Sequence, residues 1–143
     1  MQQQENKPPQ GTKIADSALW IPCTKETFLK VWFDLLRPVH KLTKKEMEVA
    51  VCFVKHWYKL KDTVRDDKQL NQLLFSPQEK AEICNELGLS PQHMRKIMVK
   101  LRQRMIVVND RLNYRFIPKY TEGQPFRLMF LIGNAETVRT NNQ

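Results

Sequence analysis

Polar and cationic side chains that can bind a polyanion concentrate in residues 81–105, AEICNELGLSPQHMRKIMVKLRQRM. After the dipeptide Ser90-Pro91, the side chains that we expect to point outward are Gln92, His93, Arg95, Lys96 and Lys100. Guanidinium, ammonium and amide groups donate hydrogen bonds to phosphate oxygens and to the edges of DNA bases. The free backbone N–H groups at the start of a helix also suit a phosphate. No acidic residue occurs between Glu86 and Asp110, so no carboxylate in this segment opposes an anion.

The net charge of the chain is distributed unevenly. The 143 residues carry 24 Lys and Arg against 15 Asp and Glu, a formal charge of +9. Residues 91–143 hold ten of those cations and only three of the acids. A focused positive field favours polyanionic partners, although a basic chain can also be basic for solubility alone.

The residue types that enzymes and metal sites use are scattered along the chain. The three histidines and three cysteines are His40, His56, His93, Cys23, Cys52 and Cys84. They form neither a CxxC pair nor a Cys/His cluster, and no Gly-rich phosphate loop is present. We therefore predict no enzyme, metal, cofactor or small-molecule ligand. The cysteines are expected to be small buried residues in a reducing cytosol, and His56 to lie on a helix surface or half-buried.

Capping residues and hydrophobic spacing predict two helices in the first half of the chain. Thr24 is expected to cap a helix that ends at Arg37-Pro38, because the residue before a proline avoids the helical region. Thr43 and Glu46 fit a capping box that opens a longer helix, which reaches about Lys59. The apolar side of this second helix is predicted to comprise Met47, Ala50, Val51, Val54, Trp57 and Tyr58.

Three shorter helices are predicted next. The first covers residues 68–75 after a charged connection. The second opens at Ser76-Pro77-Gln78-Glu79, another capping box with proline at the first helical position, and runs to Leu87. The third begins after Ser90 and reaches about Arg104.

Residues 83–101 fit two helices that cross through a tight turn. Ile83 and Leu87 are expected to face inward, with Cys84 as the small residue at the crossing. Gly88 supplies the left-handed conformation of the turn, and Leu89 fills the gap between the helices. The buried side of the second helix is predicted to be Met94, Ile97, Met98 and Leu101.

After Met105 the pattern changes to β-branched and aromatic residues. The segments MIVVND and LNYRFIP predict a hairpin that turns at Asp110-Arg111. PFRLMFLI, residues 125–132, is predicted to be a further strand, either a third strand of that sheet or one that pairs with a partner's sheet edge. Residues 1–17 are predicted to be a disordered arm, 18–134 a single domain and 135–143 a frayed tail.

Residues 79–117, EKAEICNELGLSPQHMRKIMVKLRQRMIVVNDRLNYRFI, resemble a winged helix-turn-helix. The segment LTKKEMEVAVCFV, residues 42–54, is similar to the helix that precedes this motif in sigma-factor region four and in LuxR-type and MarR-type regulators. The resemblance covers residues 43–118, about half the chain. It implies a mainly α fold with a small β-hairpin wing and extra N-terminal helices.

The resemblance also implies a function and a set of contact residues. The expected function is sequence-specific binding of double-stranded DNA, as in a bacterial or phage transcriptional regulator, with helix 91–104 in the major groove and hairpin 105–118 as the wing. The DNA-binding residues are expected to be Ser90, Gln92, His93, Arg95, Lys96, Lys100, Arg102, Arg104, Arg111 and Arg115. Arg111 is placed between the two wing strands.

Other roles for the same fold stay open. A replication initiator, a phage terminase small subunit or another virion or assembly component could reuse it. The N-terminal helices or strand 125–132 could form a homo-oligomer. Residues 1–13 do not look like a secretory signal, and the longest apolar run, near 128–132, is too short to span a bilayer. We therefore expect a protein of the bacterial or infected-host cytoplasm, or of the virion if it has an assembly role.

Overall fold

The computed structural model describes residues 18–121 and 123–133, so the predicted arm 1–17 and tail 135–143 lie outside the described residues. The described chain is mainly helical with a small antiparallel hairpin. Its elements are α1 (Phe28–Leu35), α2 (Arg37–His40), α3 (Lys44–Lys61), α4 (Asp67–Leu74), α5 (Pro77–Leu87), α6 (Pro91–Gln103), β1 (Val107–Val108), β2 (Arg111–Leu112) and a 3₁₀ turn, Tyr114–Phe116.

Helix α3 is the centre of the fold and packs against α1, α4, α5 and α6. Its capping box is confirmed: the Thr43 hydroxyl accepts from the Glu46 backbone N–H at 3.3 Å, and Glu46 accepts from the Thr43 backbone N–H at 3.5 Å. The predicted apolar side of α3 is incomplete, because it omits Val49 and Phe53, which are also fully buried. Helices on several sides of α3 therefore bury more of its surface than a single stripe provides.

The first predicted helix is divided in two. Helix α1 begins at Phe28, and a turn over residues 25–27 leads into it. Thr24 caps this turn as predicted: its hydroxyl accepts from the Thr27 backbone N–H at 3.3 Å, and its carbonyl accepts from the Phe28 N–H at 2.9 Å. Helix α1 stops at Leu35, two residues before the predicted end at Arg37-Pro38, and Arg37 is helical because it begins the next turn. The chain then forms the single turn α2, in which Pro38 occupies the first turn, where the missing N–H costs nothing.

The turn between α5 and α6 agrees with its prediction. Gly88 has φ +65°, and the Leu89 backbone N–H donates to the Cys84 carbonyl at 2.9 Å. Leu89 and Ile83 are buried, whereas Leu87 is half-buried. The Ser90 hydroxyl accepts from the His93 backbone N–H at 3.1 Å and so caps α6.

The hairpin is shorter than predicted, and its turn lies one residue earlier. Asn109 and Asp110 occupy the two turn positions with φ +53° and +57°, and Val108 pairs with Arg111. A two-residue type I′ turn requires a left-handed conformation at both of its residues, and Asn and Asp tolerate that conformation. Residues 114–116 form a 3₁₀ turn instead of continuing the second strand. Arg111 is thus a strand residue, and its predicted place in the turn is wrong.

The predicted strand 125–132 is also wrong. Residues 125–133 have no regular secondary structure, and the sheet of the described chain has two strands. The Phe126 ring instead packs edge-on against Phe28 and Trp32, with ring centroids 5.1 and 5.4 Å apart. Residues 129–132 follow as four exposed apolar side chains.

Two of the three cysteines follow the sequence prediction. Cys52 and Cys84 are buried, whereas Cys23 is exposed, which corrects the expectation for that residue. Within the described ranges, no helix has both the length and the apolar character that crossing a lipid bilayer requires.

Candidate functional site

Helix α6 separates its side chains into a buried side and an exposed side. Its buried residues are the four that the sequence predicted: Met94, Ile97, Met98 and Leu101. The opposite side, which we call the basic face, consists of Gln92, His93, Arg95, Lys96 and Lys100, and all five are exposed. In the part of the chain that the structure describes, no basic-face side chain forms an ion pair or hydrogen bond. The cations of this face are therefore available to an external anion.

A groove of about 200 Å³ lies between the basic face and the start of α3. His93, Lys96 and Lys100 line it on the α6 side, and Thr43, Lys45 and Glu46 on the α3 side. The Glu46 carboxylate is engaged by Thr43, whose hydroxyl donates to it at 3.0 Å. The Lys45 ammonium is already engaged, since it lies 3.3 Å from the Leu87 carbonyl and 3.3 Å from Glu48. Lys96 and Lys100 thus supply the uncommitted charge at this groove.

The remaining predicted contact residues lie outside the basic face as defined, at the end of α6 and in the hairpin region. Arg102 and Arg104 are exposed at the end of α6, and Arg115 is exposed in the 3₁₀ turn. Arg111 is exposed but paired, because its guanidinium lies 3.2 Å from the Asp67 carboxylate at the start of α4. An exposed pair of this kind contributes little to stability, about 0–1 kcal/mol, so an anion could compete for Arg111.

A second cluster, which sequence analysis missed, joins α3 to α5. We call it the His56 cluster; its members are Cys52, His56, Glu79, Glu82 and Glu86. The His56 ring lies between two carboxylates: Nδ1 is 2.6 Å from Glu79 Oε2, and Nε2 is 2.8 Å from Glu86 Oε1. Its side chain is only 5% exposed, so the expectation that His56 lies on a helix surface or is half-buried is wrong. Glu79 bonds to His56 and not to the Ser76 backbone, and its capping box is therefore only half formed.

The Glu86 carboxyl and the Cys52 thiol have pKa values that their surroundings shift. Burial raises the pKa of the Cys52 thiol to about 11, and the negative charge of Glu86 adds to this effect. Burial would also raise the pKa of Glu86, but hydrogen bonds from His56 and from the Cys52 thiol outweigh it and lower that pKa. A protonated thiol is a poor nucleophile, so the cluster does not have the character of a cysteine active site.

Helical spacing is the signal that could have revealed this cluster. Cys52 and His56 are four residues apart, and Glu79, Glu82 and Glu86 follow at intervals of three and four. Such intervals place each set on one face of its helix. That these two faces meet is a property of the packing of α3 against α5, and it cannot be read from the intervals themselves.

A further groove, of about 440 Å³, lies between α1 and α3. Its floor is apolar, with Phe33, Met47 and Val51, and its rim includes the exposed cations Lys30 and Lys55. Carboxylates of Glu26, Asp34 and Glu48 line it beside these lysines, and so does the buried Cys52 thiol.

Comparison with known proteins provides no relative from which a role for this site could be inferred. No protein-family model, curated protein or solved structure matches this chain.

Proposed function

We propose that this chain is a sequence-specific double-stranded DNA-binding protein with winged helix-turn-helix architecture. Helix α6 enters the major groove, and the β1–β2 hairpin serves as the wing beside it. A transcriptional regulator of bacterial or phage type is the role that fits this arrangement most simply.

The observation that carries the proposal is the division of α6 into two sides. Its apolar residues hold it against the body of the protein, while the basic face projects without internal partners. The major groove of B-DNA is about 12 Å wide and admits one α-helix. The Arg95 guanidinium can donate hydrogen bonds to O6 and N7 of guanine. The Gln92 amide can accept a hydrogen bond from N6 of adenine and donate one to N7. Lys96 and Lys100 suit the phosphates that flank the groove.

The start of α6 supports the same orientation. Pro91 occupies its first turn, and the Ser90 hydroxyl satisfies only one of the free backbone N–H groups there. The remaining N–H groups and the positive end of the helix dipole suit a phosphate. Recognition helices of this motif contact base edges with their N-terminal residues, and Gln92, His93, Arg95 and Lys96 all lie in the first two turns of α6.

The test is selection of bound fragments from random duplex DNA, followed by affinity measurement on the selected site. With about 4–6 phosphates contacted, log K against log salt should have a slope near −4 to −5. The double variant Arg95→Ala, Lys96→Ala should bind at least about tenfold more weakly, because it loses a base contact worth about 1–3 kcal/mol and a phosphate contact.

A matched control removes the same charge elsewhere. Lys30→Ala, Lys55→Ala deletes two exposed cations at the α1–α3 groove and should change affinity much less. Alanine favours helix formation at all four positions, so neither double variant should unfold the domain. Equal losses in the two variants would mean that net charge, and not α6, determines binding. If no sequence is selected, the specific-binding proposal is wrong.

An assembly role is favoured by one separate observation. Met129, Phe130, Leu131 and Ile132 are 80%, 50%, 86% and 97% exposed. Consecutive exposed apolar side chains are typical of protein contact surfaces. Light scattering on the chain with and without duplex DNA separates the two roles, because an assembly protein should form defined oligomers and show no duplex preference.

A further inference from the structure

The buried imidazole of His56 faces an acceptor on each side. A neutral imidazole has one N–H donor and one acceptor nitrogen. If Nε2–H donates to Glu86 at 2.8 Å, the Nδ1 lone pair points at Glu79 Oε2, only 2.6 Å away. A ring nitrogen and a carboxylate oxygen approach this closely only with a cation between them, and at 2.6 Å that cation is a proton. A metal ion can replace the proton once the two atoms move further apart.

Glu82 adds a third ligand atom to the same place. It lies one helical turn after Glu79, and one ligand atom from each of His56, Glu79 and Glu82 falls within 4.8 Å of the other two. Among the described residues, no lysine or arginine forms an ion pair with any of the three carboxylates on α5. One proton on His56 would offset a single negative charge, whereas a divalent ion would offset two.

We propose that His56 Nδ1, Glu79 and Glu82 bind one divalent transition-metal ion of the Zn²⁺ class across α3 and α5. One nitrogen and two carboxylate oxygens form a donor set that Zn²⁺ accepts, with a water completing the tetrahedron. Ligand bonds of about 2.0–2.2 Å at a tetrahedral angle place two ligand atoms about 3.4 Å apart. The Nδ1 and Glu79 oxygen atoms, now 2.6 Å apart, must therefore separate by about 0.8 Å. Glu79 is 22% exposed on its side chain and can make that movement.

Glu86 orients the ligand and is not itself one. Its bond to Nε2 fixes the tautomer that presents the Nδ1 lone pair, which is the usual role of a carboxylate behind a metal-binding histidine. The Cys52 thiol lies 3.5 Å from the second oxygen of Glu86 and holds that carboxylate. The ion ties α5 to α3 and so acts as a structural clamp. The proposal is independent of DNA binding.

The experiment is a Zn²⁺ titration of the full chain, followed by imidazole NMR and calorimetry. The background is Cys23→Ser, because an exposed thiol binds Zn²⁺ by itself. The chain has three histidines, so their signals can be assigned by substitution. We expect one Zn²⁺ per chain, with the His56 signals changed and those of His40 unchanged. The variant Glu82→Gln, at an exposed ligand, should bind at least about tenfold more weakly.

Asp110→Asn is the matched control, because it also removes one exposed carboxylate and asparagine tolerates the left-handed turn position. It should leave the affinity for Zn²⁺ unchanged. The proposal is overturned if Glu82→Gln, folded by circular dichroism, binds Zn²⁺ as tightly as its parent. It is equally overturned if saturating Zn²⁺ moves only the His93 signals, since a proton alone would then bridge His56 and Glu79.

Discussion

The side-chain oxygen of Asn71 accepts a hydrogen bond from the backbone N–H of Leu112 at 2.9 Å. This bond joins α4 to strand β2 across 41 residues of sequence and is buried. The Asn71 amide nitrogen donates to the Asp67 carbonyl at 2.9 Å, so both ends of the side chain are satisfied. The hairpin is therefore held against the helices by a polar contact as well as by apolar packing.

Asn71→Leu should lower the free energy of unfolding by about 1–3 kcal/mol, because it leaves the buried Leu112 N–H without a partner. Urea denaturation measures the loss, and hydrogen exchange at the Leu112 amide should be faster. Gln72→Ala is the control, since Gln72 is an exposed amide residue on the same helix and should change stability by no more than about 0.5 kcal/mol. Unchanged exchange at Leu112 in Asn71→Leu would contradict this role.

Substitutions of Gly88 test whether the turn between α5 and α6 requires a left-handed residue. A Cβ at this position would meet no atom within 4 Å, so only the backbone conformation at φ +65° opposes a side chain. Gly88→Ala should cost about 1–2 kcal/mol, and Gly88→Asn should cost less because asparagine visits this region. Thermal or urea unfolding gives the ranking. Equal stability of Gly88→Ala and the parent would mean that the turn relaxes into another conformation.

The capping residues and the α6 pattern could be predicted from the sequence because both are local. Ser90 acts within its own helical turn, and the spacing of Met94, Ile97, Met98 and Leu101 fixes which side of α6 is apolar. The sequence prediction of a turn at Asp110-Arg111 is one residue too late. Asn109-Asp110 is the better pair for two left-handed residues, because both Asn and Asp tolerate that region.

The contacts that depend on packing could not be predicted. His56 is polar and occupies a helix with an apolar stripe, so its sequence position alone favours an exposed or half-buried site. Its burial depends on two carboxylates of α5, Glu79 and Glu86, which lie 23 and 30 residues further along the chain. The apolar run 125–132 satisfies a strand pattern, but the Phe126 ring packs on α1 instead, and the described chain offers it no strand partner.

His40 is expected to make stability depend on pH. Burial lowers the pKa of His40, although the Nε2–H bond to the Phe33 carbonyl at 2.7 Å opposes this effect. The Leu42 N–H donates to Nδ1 at 2.9 Å. Because Nδ1 accepts this bond, it carries no proton and the ring is neutral. With the pKa lower in the folded than in the unfolded chain, the stabilising contribution of His40 is complete above the unfolded value of 6.5. It decreases as the pH falls below that value, because the unfolded chain takes up the proton first.

The measurement compares the parent with His40→Gln by urea denaturation between pH 7.5 and pH 5. The parent should lose more stability than the variant over this range, by up to about 1.4 kcal/mol for each pH unit between the two pKa values. Other titrating groups contribute to both proteins and cancel in the difference. Parallel pH profiles for the two proteins would show that His40 can accept a proton without loss of its bonds.

The three thiols should differ in reactivity toward a disulfide reagent. Cys23 is exposed, whereas Cys52 and Cys84 are buried. At pH 8 a thiol with a pKa of about 11 is ionised to roughly one part in a thousand, and the thiolate is the reactive species. The native chain should therefore show one fast-reacting thiol, and the chain unfolded in guanidinium should show three. Cys23→Ser should abolish the fast phase, and a fast phase that survives in this variant would mean that α3 or α5 opens readily enough to expose Cys52 or Cys84.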